Sequence, residues 1–226
     1  MRRFRNIVEV KASIYEWVDL GLPSGLLWAT TNVGATKPEE YGLYFAWGET
    51  QGYTAEDVRT GIKQFSWGSY KLCNGTSKTL TKYNINSSYG IIDNLTTLEL
   101  VDDASYISDG TCRMPTNGEW RELIANTTSI VETLNGVDGR RFTSKTNGNS
   151  IFIPITGMCS YNTVYDNDPY SYYWSSTLYE DDPSLGLNFK PGPDYGFNIV
   201  ISSYSAAMSC SDRCNGLSVR AVKSIN

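Results

Sequence analysis

Short apolar segments separated by Gly, Asn and Ser dominate the hydrophobic pattern of this chain. Aromatic and β-branched residues within these segments fit a pleated, half-buried surface, so each segment is predicted to be a strand. The predicted strands are Trp17 to Leu20, Leu26 to Thr30, Tyr44 to Trp47, Ile151 to Pro154, Tyr172 to Thr177, Phe197 to Ile201 and Ser218 to Val222. Asn-Gly pairs at Asn135 and Asn147 suit the tight turns of hairpins.

The strongest helical pattern begins at a Thr-x-x-Glu capping box made by Thr116 and Glu119. Trp120, Leu123 and Ile124 follow at positions i, i+3 and i+4, as expected for residues on one buried helical face. The pattern therefore predicts an amphipathic helix that runs to about Asn126.

Two weaker helical patterns complete the predicted elements. One predicts a helix within Leu98 to Tyr106, and the other predicts a short helical turn beginning at Pro38 to Tyr41. Few helices among many short strands indicate an α+β domain with short antiparallel strands, about two helices and much irregular loop. Without a fixed-period repeat or a dividing linker, residues 17–226 are predicted to form one domain after an N-terminal lead or tether at residues 1–16.

The charge and the hydropathy of the chain limit the kinds of partner that it can bind. The chain of 226 residues carries a formal charge of -5 and has a pI of about 4.8, so it lacks the basic surface that gives affinity for nucleic acid. Its apolar runs fall short of the roughly 20 residues that cross a bilayer. We expect neither nucleic-acid binding nor direct membrane insertion.

The chain contains no histidine. Ser-His-Asp and Cys-His nucleophilic sites and the commonest metal ligand are therefore excluded, and an ordinary hydrolase is disfavoured. Two carboxylates about 5 to 10 Å apart can hydrolyse glycosides, but adjacent acids on a polar surface are more often solvated or cap helices. The adjacent pairs are Glu39 and Glu40, Asp102 and Asp103, and Asp181 and Asp182. No catalytic residue is predicted.

Cysteine and acidic residues predict no metal site. The five cysteines form an odd set without a Cys-x-x-Cys motif, so free thiols are expected rather than a disulfide framework or a zinc site. A structural calcium on oxygen ligands remains open at Asp93, Asp102, Asp103 and Asp109. No other cofactor is expected.

A series of unusual motifs occurs in a distinctive order along the chain. The motifs are Val18 to Thr30, Asn32 to Ala35, Pro38 to Gly42, Tyr44 to Thr50, Arg113 to Trp120, Gly148 to Pro154, Tyr173 to Thr177 and Gly216 to Val222. The series resembles the Fibrobacter succinogenes major paralogous domain, which is abundant in gut Bacteroidetes and their phages. The resemblance covers about Trp17 to Val222 and implies a C-type-lectin-like fold.

The same fold is implied for formylglycine-generating enzymes and for the variable proteins of diversity-generating retroelements. In those variable proteins, which include phage adhesins, a C-terminal segment changes while a rigid fold displays it to receptors. The resemblance therefore implies a non-enzymatic receptor-binding protein with a variable-type segment at residues 172–222. It also implies an extracellular location, on a bacterial cell surface or a phage virion. The expected partner is a protein or glycan receptor on a cell surface, and a homo-oligomer remains open.

The candidate binding residues divide into changeable positions and aromatic or acidic neighbours. By resemblance, the changeable positions are Ser209, Cys210, Ser211, Asp212, Cys214, Asn215 and Leu217. Tyrosines amid Ser, Asn, Asp and Gly have the composition of antibody binding loops, which combine rigid aromatic anchors with adaptable polar contacts. The set is completed by Tyr179, Asp181, Asp182, Tyr195 and Tyr204.

A structural frame is predicted around these positions. By resemblance it contains Trp174, Arg213, Gly216 and Arg220, and the helix adds Trp120. Arginine has five donors in a fixed fork, so it can hold several loop carbonyls at once. Lys190 to Gly196 departs from the usual pattern of the family as an insertion.

Two alternative functions remain open. Formylglycine-generating enzymes bind copper through a cysteine pair near the C-terminus of this fold, and thiolate pairs select Cu(I). Cys210 and Cys214 could form such a pair in a copper- or thiol-dependent oxidase, although their spacing differs. The other alternative is a structural module of a fibre.

Overall fold

The computed structural model of the protein describes residues 14–166, 169–188 and 190–225. Within these residues the fold is mixed α and β and consists mostly of strands. The described α-helices are α1 (Ala55–Arg59), α2 (Ala104–Asp109) and α3 (Asn117–Asn126). Short 3-10 turns cover Trp67–Ser69, Ser87–Tyr89, Leu100–Asp102 and Pro183–Leu185. Most of the predicted N-terminal lead, residues 1–13, lies outside the described residues.

Thirteen strands are found in the described residues. They are β1 (Trp17–Asp19), β2 (Leu26–Asn32), β3 (Tyr44–Phe45), β4 (Thr127–Leu134), β5 (Val137–Ser144), β6 (Ser150–Pro154), β7 (Cys159–Ser160), β8 (Thr163–Val164), β9 (Tyr170–Leu178), β10 (Tyr195–Ser202), β11 (Ala206–Asp212), β12 (Leu217–Ser218) and β13 (Arg220–Ser224). A five-stranded sheet has the order β11-β10-β9-β12-β3, two three-stranded sheets have the orders β1-β2-β13 and β4-β5-β6, and β7 pairs with β8.

The five-stranded sheet forms the centre of the molecule, with a cluster of large apolar side chains on each side. One cluster includes Trp28, Trp120 and Tyr173, and the other includes Trp47 and Trp174. No helix in the described ranges is long and apolar enough to cross a membrane.

Helix α3 confirms the strongest helical prediction. The Thr116 hydroxyl accepts from the Glu119 amide at 3.2 Å, and the Glu119 carboxylate accepts from the Thr116 amide at 2.8 Å, so the capping box is closed. Trp120 is fully buried and its indole donates to the Trp174 carbonyl at 3.2 Å. The helix is thereby attached to the central sheet.

The Asn-Gly hairpin is also confirmed, although the strands that flank it were not predicted. Asn135 and Gly136 have φ values of 51° and 85°, as a two-residue turn between β4 and β5 requires. Arg140 and Arg141 in β5 obscured the strand signal, because charged residues rarely mark a strand by composition.

Two helix predictions needed correction, and one helix was missed. The predicted helix within Leu98 to Tyr106 is split, since Asp103 caps α2 by accepting from the Ser105 amide at 2.8 Å. Pro38 to Tyr41 was wrong as a helical start: the segment forms a turn, closed where the Glu40 carboxylate accepts from the Thr36 amide at 2.7 Å. Helix α1 was missed, although Thr54 and Asp57 form a capping box before it.

Candidate ligand-binding site

Arg213 is the most extensively bonded buried side chain near the C-terminus. It is fully buried and donates to the Tyr70 hydroxyl at 2.9 Å. It also donates to the carbonyls of Tyr83, Pro193 and Lys82, each at 3.0 Å. One guanidinium therefore connects the C-terminal segment to two separate loops.

Those two loops form the walls of a surface cleft of about 400 Å³. One wall contains Ile85 and Ile92, and the other contains Pro191 and Pro193. The remaining lining residues are Asn86, Ser87, Tyr179, Glu180, Asp181 and Gly192. A concavity lined by both apolar and polar residues can hold a ligand. We call it the acidic cleft.

The Pro-Gly-Pro segment is held closely against its neighbours. A Cβ on Gly192 would lie 2.3 Å from the Tyr89 ring, so only glycine allows this approach without a shift. The Lys78 ammonium lies 3.3 Å from the centroid of the same ring. The Pro-Gly-Pro segment thus supplies one wall of the acidic cleft.

Several predicted binding residues lie at this end of the central sheet. Asp181 is at the cleft rim and pairs with Lys190 at 3.2 Å, whereas Asp182 pairs with Arg121 of α3 at 2.6 Å. Tyr195, the first residue of β10, lies opposite Asp212, the last residue of β11. These residues are close enough to contribute to one surface.

The predicted positions on β11 face opposite ways. Side chains alternate along a strand, so Ser209 and Ser211 share one face and Cys210 and Asp212 share the other. Ser211 is buried and accepts from the Asn198 side chain at 2.8 Å. A single face of β11 therefore presents only part of the predicted set.

Like Ser211, three further predicted binding residues have buried side chains, so they offer little surface to a ligand. Leu217 is fully buried, and Tyr179 and Cys214 are nearly so. Tyr179 packs on the Phe197 ring with centroids 5.0 Å apart and backs the acidic cleft from below. Asn215 is partly exposed in the turn after β11.

Tyr204 is separated from the other candidates. It is 82% exposed in the turn between β10 and β11, at the opposite end of the central sheet. The length of β10 places it roughly 25 Å from the acidic cleft. Tyr204 and the cleft do not form one site within a single molecule.

The predicted frame residues all occupy structural positions. Trp174 is fully buried and donates to the Phe45 carbonyl at 2.7 Å. A Cβ on Gly216 would lie 2.5 Å from the Phe65 ring, so glycine is needed for the close approach. Arg220 is fully buried between β2 and β6, where it donates to the carbonyls of Ala29 at 3.0 Å and Phe152 at 3.2 Å.

A pair of carboxylates lies beside the acidic cleft. Burial raises the pKa of Asp194, and burial together with the nearby Asp194 charge raises the pKa of Asp212. Asp194 is mostly buried, and its nearest ion-pair contact is with Lys78 at 4.0 Å. Two charged carboxylates in this region therefore oppose folding at neutral pH.

Replacing Asp194 by Asn should raise the free energy of unfolding relative to wild type, and should do so more at pH 7 than at pH 4. A carboxyl whose pKa is raised on folding contributes stability below its unfolded pKa, near 3.9, and loses it as pH rises through the folded pKa. Urea unfolding of wild type and Asp194→Asn at pH 4 and pH 7 measures this difference. A variant that is no more stable at pH 7 than at pH 4, relative to wild type, would contradict the assignment.

The two C-terminal thiols occupy different surroundings. Cys210 of β11 lies opposite Phe197 of β10, whereas Cys214 packs in a cluster with Cys73 and Cys159. Burial raises the pKa of Cys210 to about 12 and also raises the pKa of Cys214. All five cysteines are free thiols, and the described residues contain no group of three or more candidate metal ligands.

Sequence reasoning missed the apolar walls of the cleft. Ile85 and Ile92 belong to an irregular segment that gives no periodic signal, and their exposure depends on the fold. The Pro-Gly-Pro insertion was the one available signal, since an added loop next to a predicted binding segment is a common site of function.

Comparison with known proteins leaves the family undetermined. No family model, curated protein or solved structure significantly matches the chain.

Proposed function

We propose that this chain is a non-enzymatic receptor-binding protein of C-type-lectin-like fold. Its ligand, a protein or glycan on a cell surface, binds at the acidic cleft and the adjoining partly exposed positions of β11. The protein acts outside the cell, on a bacterial surface or a phage virion, as an adhesin or a retroelement-diversified variable protein.

The bonds of Arg213 carry this proposal. A single buried guanidinium anchors Tyr83, two residues before the cleft wall at Ile85, and Pro193 in the other wall. Arg213 is itself flanked by Asp212 and Cys214, two positions of changeable type. Such a frame allows the residues around it to vary while the cleft keeps its shape, which is how loops on a rigid scaffold bind ligands.

The acidic composition of the cleft rim favours a ligand with cationic or hydroxyl groups. Glu180 and Asp181 are exposed, and carboxylates accept hydrogen bonds from both kinds of donor. Apolar walls at Ile85 and Ile92 provide the burial that affinity requires.

The copper or thiol oxidase receives less support. Cu(I) binding and nucleophilic thiol chemistry both require thiolates, and burial raises the pKa of Cys210 and Cys214. Copper analysis of the purified protein with titration of both thiols separates the two functions. Stoichiometric copper that depends on Cys210 and Cys214 would favour the oxidase.

Binding to cells and glycans tests the proposal. We expect fluorescently labelled protein to bind saturably to intact cells in a panel of gut Bacteroidetes, measured by flow cytometry, or to spots of a glycan array. Ile92→Asp puts a charge on the apolar cleft wall and should weaken binding roughly tenfold or more, about 1.4 kcal/mol.

Ile107→Asp is the matched control. Ile107 is exposed to a similar extent as Ile92 but lies on α2, outside the cleft. This variant should bind like wild type. Equal loss of binding in both variants, or no saturable binding to any cell or glycan, would overturn the proposal.

A further inference from the structure

Strand β4 leaves an open edge on the surface. It is the outer strand in the order β4-β5-β6, and no strand of the described residues pairs with its outer side. Ile130 and Val131 at its centre are 62% and 47% exposed. An unpaired edge with exposed apolar residues can pair with another strand.

The sequence of β4 does not protect this edge. Five of its eight residues are β-branched, which favours strand pairing. It lacks the Lys, Pro or bulge with which natural edges avoid pairing. Its only charged residue, Glu132, is held on its own hairpin by Arg141, whose Nη2 donates to Glu132 at 2.7 Å.

The turn geometry identifies which backbone groups face outward. A two-residue turn makes Leu134 and Val137 a hydrogen-bonded pair. Along the hairpin, hydrogen-bonded pairs then alternate with non-hydrogen-bonded pairs. The N–H and C=O groups of Ser129, Val131 and Thr133 therefore point away from β5. Arg140 donates to the Ser129 carbonyl at 2.9 Å, and a carbonyl oxygen has a second lone pair for another donor.

We propose that β4 pairs with β4 of a second copy of this chain across a two-fold axis. The axis passes beside Ile130, so that Ile130 faces its own counterpart and Ser129 pairs with Val131 of the other copy. This register joins the β4-β5-β6 sheets of the two copies into one continuous six-stranded sheet. It extends the proposed function without depending on it.

Self-pairing suits the side chains of this edge. In this register Glu132 lies opposite Thr128 of the other copy, so no two like charges face each other. The exposed Ile130 side chains meet at the closely spaced, non-hydrogen-bonded position of an antiparallel pair. A two-fold interface requires such a self-complementary surface.

The consequence is a bivalent molecule. Each copy has its own acidic cleft, and two clefts on one particle increase the avidity for a surface with repeated receptors. The paired state also covers a strand that would otherwise favour aggregation.

Sedimentation analysis of the full chain tests the pairing. We expect wild type to shift from monomer to dimer as its concentration rises through the micromolar range. Ile130→Lys should weaken dimerisation at least tenfold, because two ammonium groups would then face each other at the axis. Ile107 lies on α2 and is exposed to a similar extent as Ile130, and Ile107→Lys should dimerise like wild type. A wild type that remains monomeric at about 0.1 mM, or a dimer unaffected by Ile130→Lys, would overturn the proposal.

Cysteine cross-linking tests the register. Paired Cα atoms at a non-hydrogen-bonded position are about 4.5 Å apart, within the range that a disulfide spans. Ile130→Cys should therefore form a covalent dimer when oxidised glutathione takes up the two electrons of the thiol pair. Val131→Cys should not, because its diagonal counterpart is about 7 to 8 Å away. Wild type controls for the native thiols, and preferential cross-linking of Val131→Cys would refute the register.

Discussion

Replacement of Arg213 by Met should lower the free energy of unfolding by about 3 kcal/mol or more. The change removes the donors to three buried loop carbonyls and to the Tyr70 hydroxyl. Each buried acceptor left without a donor costs about 1 to 3 kcal/mol, offset in part because a buried charge is no longer desolvated. Urea unfolding followed by tryptophan fluorescence measures the loss.

The size of the protein determines how far this loss of free energy lowers the melting temperature. About 3 kcal/mol corresponds to a decrease of roughly 6 to 12 °C for a domain of this length. Arg213→Lys should be destabilised nearly as much, because an ammonium keeps the charge but lacks the planar fork that reaches all four acceptors.

Arg59→Met is the control for a general effect of losing an arginine. Arg59 pairs with Asp166 at the surface, where its side chain is half exposed, and exposed ion pairs contribute about 0 to 1 kcal/mol. An equal loss of stability in Arg59→Met and Arg213→Met would contradict the role of Arg213 as the anchor of the cleft loops.

Replacement of Arg220 by Ala should also cost about 3 kcal/mol, but should leave binding unchanged. The cost comes from a cavity in the core and from the unpaired carbonyls of Ala29 and Phe152. Arg220 lies between two strands that do not form the acidic cleft. The measurements are the melting temperature and the cell-binding assay, performed well below that temperature.

Arg220→Met separates the cavity from the charge. Burial lowers the pKa of Arg220 to about 10, because removal from water disfavours the charged guanidinium. Methionine fills much of the same space but leaves both carbonyls unpaired, so this variant should regain only the part of the lost stability that comes from the cavity. Unchanged melting of Arg220→Ala together with lost binding would show that Arg220 acts in recognition instead.

The local elements were predictable where a short sequence contains its own physical cause. The capping box at Thr116 and the turn at Asn135 both depend on hydrogen bonds or φ values within a few residues. The predicted helix near Leu98 was wrong in its bounds because Asp103 could either continue a helix or cap one. Its side chain accepts from the amide of Met114 at 2.8 Å, and this distant contact favours the cap.

The candidate site was predictable in part. The role of Arg213 in holding several loop carbonyls followed from the chemistry of its donors, but the identity of those carbonyls did not. Leu217 was assigned to the binding surface by resemblance, and Tyr179 because it lies in irregular sequence. The fold buries both, because pairing of β12 with β9 and β3 places Leu217 inside the central sheet.

The sequence by itself determined the capped helix, the Asn-Gly turn, the predominance of short strands and the absence of histidine chemistry. These properties depend on residue type and on neighbours within one or two turns of chain. Only the tertiary structure decided which irregular residues are exposed and which loops meet at Arg213. Those outcomes depend on contacts between residues more than a hundred positions apart, and a local pattern contains no information about such contacts. The acidic cleft and the open edge of β4 are therefore properties of the folded chain alone.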